Sequence, residues 1–67
     1  MTPQERLREA MRTKGLSINS TAKKARMDQS YLRWILRGEA KRGSYIETWQ
    51  RIADAIGVDV AYLVRGA

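Results

Sequence analysis

The chain has 67 residues, with thirteen lysines and arginines against seven acids, a formal charge of +6, and neither cysteine nor histidine. That length supplies one small domain, residues 1–67. The missing residue types exclude disulfides, thiolate or imidazole metal sites, and any nucleophile that relies on a histidine base.

The seven carboxylates show no cluster at metal-ligand spacing, and there is no Gly-rich phosphate loop. The expectation is a protein that is not an enzyme and needs no cofactor, metal or small-molecule substrate. No apolar run approaches the roughly 20 residues that span a bilayer, and no apolar h-region follows Met1-Thr2-Pro3-Gln4-Glu5-Arg6. The protein is therefore expected in the cytoplasm and away from membranes.

In chain order, Thr2-Pro3-Gln4-Glu5 reads as a capping box with proline at the first helical position. Leu7, Ala10 and Met11 then recur at helical spacing, with the stem of Lys14 as an open fourth member. Gly15 closes this helix in a left-handed position, and Leu16 folds back on it. Ser17 caps a second helix whose inner stripe is Ile18, Thr21, Ala22 and Ala25; the two alanines allow another helix to come close.

Arg26-Met27 makes a tight turn, and Asp28 caps a third helix with Leu32, Ile35 and Leu36 inward and Gly38 as its stop. A polar loop, Glu39-Ala40-Lys41-Arg42-Gly43, leads to a second capping box, Ser44-Tyr45-Ile46-Glu47. The fourth helix carries Ile46, Trp49, Ile52, Ala53 and Ile56 on one face, with Trp49 as the central core aromatic. Gly57 and Val58 end it, Asp59 caps a short fifth helix containing Val60, Leu63 and Val64, and Gly66 ends that. Strand signals are absent. The expected fold is all-α, a compact five-helix bundle.

The basic charge is concentrated. From Arg12 to Arg42 nine cations face two anions, a net +7, whereas the remainder has four cations and five anions, a net −1. That half also contains the short second helix, the tight turn and the third helix with polar residues at its start. This is the layout of a helix-turn-helix, whose second helix fits a DNA major groove. A basic stripe on that half is the electrostatic footprint such binding needs.

With Leu32, Ile35 and Leu36 turned inward, the third helix presents Gln29, Ser30, Arg33, Trp34 and Arg37. Gln29 is the leading base contact, because its amide donates and accepts together and matches adenine N6 and N7. Ser30 suits a base, a phosphate or simple filling beside the cap. Arg33 suits either guanine O6 and N7 or a phosphate. Trp34 suits a thymine methyl or sugar, or a tilt into the core beside Met27. Tyr31 suits a phosphate or core packing equally. Lys23, Lys24 and Arg26 can add phosphate charge, and about five neutralised phosphates per subunit imply a log–log salt slope near −4 to −5.

Several segments together resemble the DNA-binding domain of the lambdoid phage repressor and Cro family, over about Glu5 to Val64. They are Leu16-Ser17 before the second helix, Ala22 within it and Met27 in the turn. Arg37-Gly38 follows, then basic Lys41-Arg42, and the block from Thr48-Trp49-Gln50-Arg51 to Ala61-Tyr62-Leu63. The resemblance implies a transcriptional regulator of the phage- or prophage-repressor type that binds a pseudopalindromic operator as a dimer.

It also implies that Lys41 and Arg42 grip the DNA backbone and that the dimer contact comes from around Val58, Tyr62 and Val64, residues that equally suit covering the core. Two positions depart from the family pattern. Arg26 stands where glycine is usual, in a turn that often needs a left-handed backbone. Ile18 stands where glutamine is common, so its phosphate-contacting role passes to Ser17, Asn19 or Ser20. The length fits both a complete Cro-like protein and the N-terminal piece of a longer repressor. A competing class is a protein-interaction module, antitoxin-like or an anti-repressor partner, using the same fold without base readout.

Overall fold

The computed structural model describes residues 2–38 and 45–66. Its helices are α1 (Pro3–Thr13), α2 (Ile18–Ala25), α3 (Gln29–Leu36), α4 (Tyr45–Ile56) and α5 (Val60–Arg65), and the described residues contain no strand. The molecule measures 28 × 27 × 18 Å with a radius of gyration of 10.4 Å. This matches the roughly 11 Å expected of a folded chain of this length.

Local chemistry sets the helix ends. Thr2 Oγ1 accepts from Glu5 N at 3.2 Å while Glu5 Oε1 accepts from Thr2 N at 2.8 Å, completing the capping box of α1. Gly15, at φ 70°, closes α1, and Leu16 N donates to Met11 O at 2.8 Å. Ser17 and Ser20 form a second reciprocal box at the start of α2: Ser20 N donates to Ser17 Oγ at 3.1 Å and Ser17 N to Ser20 Oγ at 3.0 Å. Asp28 caps α3 by accepting from Ser30 N at 3.0 Å, and Asp59 caps α5 by accepting from Ala61 N at 2.9 Å. The capping box expected from Ser44 lies outside the described residues.

The core forms where the apolar stripes meet. Leu7, Leu32, Trp49, Ile52 and Leu63 are fully enclosed, one or more from four of the helices, and each side chain of this size contributes about 1.5–3 kcal/mol by leaving water. Helix α2 packs on α3 and α4, α1 on α3 and α5, and α4 on α5. The α2–α4 contact is close because Ala22, Ala25 and Ala53 are small and buried. This packing fixes α3 by its inner face and leaves its outer face open.

Two packing expectations need correction. Ile46 is 77 % exposed rather than part of the core face of α4. It sits in the first turn, about 60° around the helix from Trp49, and borders a surface groove with Val60, Ala61, Val64 and Arg65. Lys14 is exposed as the C-cap of α1 and is not a member of its buried stripe.

One contact had no sequence signal. Arg6 is only 9 % exposed, and its Nε donates to Leu63 O at 2.9 Å, tying α1 to the last turn of α5. Gly66 makes room for it: a β-carbon there would lie 3.1 Å from Arg6 Nη1.

Candidate nucleic-acid interface

Helix α3 carries the candidate reading face. At 100° per residue, Gln29, Arg33, Arg37, Ser30 and Trp34 fall within an arc of about 140°, and Ile35 points nearly the opposite way. Burial follows that geometry. Leu32, Ile35 and Leu36 are buried; Ser30, Arg33, Trp34 and Arg37 are exposed; Gln29 is half-buried at the first helical position. Trp34 is 50 % exposed, so half of the indole stands in solvent on this face.

Tyr31 leaves the arc. It is half-buried against the core, with its hydroxyl 3.5 Å from Thr48 Oγ1 on α4. It thereby occupies the junction between α3 and α4.

The turn before α3 is tight. Arg26 has φ 57° and ψ 48°, the one left-handed non-glycine residue among those described. Met27 N donates to Ala22 O at 3.0 Å and Arg26 N to Lys23 O at 3.2 Å, the paired bonds of a Schellman closure. Gly15 and Gly57 accompany the corresponding bonds from Leu16 N to Met11 O and from Val58 N to Ala53 O. Arg26 thus holds a backbone conformation that the chain elsewhere assigns to glycine. Its side chain is exposed and lines a cleft of about 560 Å³ with Lys24, Arg51 and Asp54.

On α2, Asn19, Lys23 and Lys24 are exposed, and Ser17 and Ser20 share their hydroxyls with each other at 2.7 Å. Lys41 and Arg42 lie outside the described residues. Of the C-terminal residues, Tyr62 is 37 % exposed, and Val58 and Val64 are half-buried against the core. Tyr62 and Val64 flank the buried Leu63, about 200° apart around α5, so they belong to different sides of that helix.

The carboxylates of α1 are engaged locally. Glu5 is held below the ordinary 4.5, first by the backbone N–H of Thr2 and then by its side chain. Glu9 is lowered mainly by its hydrogen bond from Arg12, whose own pKa is raised by the same contact. Among the described residues no three potential metal ligands converge, and no helix is long and apolar enough to cross a membrane.

Two short helices joined by a tight turn, the second fixed by its inner face and polar outward, define a helix-turn-helix unit of the kind that binds DNA. The family model described as "Helix-turn-helix domain" matches residues 5–64, and the chain belongs to that family. No curated protein and no solved structure gives a significant match. Domains of this family are DNA-binding modules and are typically not enzymes.

Proposed function

We propose that this protein is a sequence-specific, double-stranded DNA-binding transcriptional regulator of the phage- or prophage-repressor type. It acts in the cytoplasm and inserts α3 into the major groove. The carrying observation is the outward arc of α3: Gln29, Ser30, Arg33 and Trp34 project together, away from the core residues that hold the helix. Gln29, at the N-terminal end, enters deepest and reads a base edge.

Ser17, Asn19, Ser20, Lys23, Lys24, Arg26, Arg37, Lys41 and Arg42 contact the sugar-phosphate backbone and set the register. Tyr31 joins them from the α3–α4 junction, where its hydroxyl lies 3.5 Å from Thr48 Oγ1 and, as a phenol, can both donate and accept a hydrogen bond. Repression is favoured over activation because occupying a promoter needs no further partner surface. A single reading helix covers few base pairs, so the protein binds as a homodimer on a pseudopalindrome, with its reading helices about 34 Å apart. A domain 28 Å across suits that spacing. Of Val58, Tyr62 and Val64, the exposed Tyr62 is the one that supplies the dimer contact, since Val58 and Val64 are half-buried against the core.

Selection of binding sites from random duplex DNA with the purified chain tests this reading. Enrichment of a palindromic sequence is expected, and Gln29→Ala should weaken binding to it by about 1–3 kcal/mol while relaxing preference at one base pair. Failure to enrich any sequence would refute base readout and favour an interaction module on the same fold.

A further inference from the structure

Beside the outer arc of α3 lies a cleft of about 210 Å³ lined by Arg8, Ile18, Arg33, Leu36 and Arg37. Three guanidinium-bearing residues, Arg8 of α1, Arg33 of α3 and Arg37 at the C-cap of α3, line it, and no carboxylate among the described residues does. The acids nearest to Arg8 along α1 are engaged elsewhere: Glu5 with the backbone N–H of Thr2, and Glu9 with Arg12. Ile18 and Leu36 form an apolar wall beside the three arginine side chains. Ile18 is also the first residue of α2, where backbone N–H groups point out of the helix and favour an anion.

The cleft therefore has the charge to hold a phosphate oxyanion, and guanidinium groups match phosphate geometry bidentately.

We propose that Arg8, on α1 and outside the helix-turn-helix pair, holds a DNA backbone phosphate at this cleft together with Arg37. The inference rests on the DNA-binding reading above and adds a third helix to the interface.

The test compares wild type, Arg8→Ala and Arg8→Lys, each confirmed as folded by thermal melting, on a selected and on an unrelated duplex across a salt series. Loss of one phosphate contact should flatten the log–log salt slope by about 0.9, which at about 0.15 M salt is roughly a fivefold loss of affinity. The loss should be the same on both duplexes, because a phosphate carries no sequence. Arg8→Lys should recover most of the slope, since the charge remains.

An Arg8→Ala protein with wild-type slope and affinity overturns the proposal while leaving the DNA-binding reading intact. A loss confined to the selected duplex overturns it too, by placing Arg8 in base readout. A wild-type chain that binds neither duplex refutes both the parent reading and this one.

Discussion

Replacing Arg26 by glycine should move stability and DNA affinity in opposite directions. The left-handed backbone at φ 57° brings the β-carbon of an L-residue too close to its own backbone, at a cost of roughly 1–2 kcal/mol. Glycine removes that cost but adds freedom to the unfolded chain, worth about 0.5–1 kcal/mol. The net gain is about 0.5–1 kcal/mol. Gly15 and Gly57 show that glycine fits this type of closure.

Arg26→Ala is the reference variant, because it also lacks the cation at the end of α2 but keeps the strained β-carbon. Arg26→Gly should melt about 2–8 °C above Arg26→Ala, using about 4–8 °C per kcal/mol for a domain of this size. On duplex DNA both variants should show a salt slope flatter by about 0.9 than wild type if Arg26 contacts a phosphate. Thermal melts followed by circular dichroism and a salt series of binding titrations measure the two effects separately. Arg26→Gly melting at or below Arg26→Ala would refute the strain argument. Unchanged salt slopes would remove Arg26 from the interface.

Thr21 is fully buried, and its hydroxyl makes no hydrogen bond among the described residues. Thr21→Val should therefore raise stability by about 1 kcal/mol without changing DNA affinity, and a lower melting temperature would show the hydroxyl to be satisfied. Arg6→Met keeps the apolar stem but leaves Leu63 O without its donor. A loss of about 1–3 kcal/mol is expected, read as a fall in melting temperature, and an unchanged melt would demote the α1–α5 tie. The Glu5 carboxyl has a folded pKa below its ordinary 4.5, so its stabilising contribution is present above that value and fades as pH falls through the folded pKa. The melting temperature of wild type should thus drop more steeply on acidification than that of Glu5→Gln, and superimposable profiles would rule out the contribution.

Much of the architecture was legible in the chain because its signals are local. Thr2, Ser17, Asp28 and Asp59 stand where polar side chains can cap, and all four accept the expected backbone N–H bonds. Gly15 and Gly57 stand where a left-handed backbone is needed, and the apolar spacing in α3 marks its buried stripe. The outward arc of α3 follows from the same spacing, since whatever is not turned to the core is presented to solvent.

Other features depend on where a helix ends relative to its neighbours, which periodicity does not encode. Ile46 fits the apolar pattern of α4 but lies in its first turn at the margin of α5, so it stays in solvent. Tyr31 and Trp34 are both aromatic and three residues apart, yet one meets Thr48 on α4 and the other stands half in water.

Sequence alone thus determined the helices, the caps at Thr2, Ser17, Asp28 and Asp59, the basic half and the outward polar face of α3, because each rests on contacts within a few residues. Only the tertiary structure decided the burial of Arg6 beneath the end of α5 and the meeting of Arg8 with Arg33 and Arg37 beside Ile18. Those juxtapositions join residues of different helices, and their positions follow from how helices pack, not from the order of residues along any one of them.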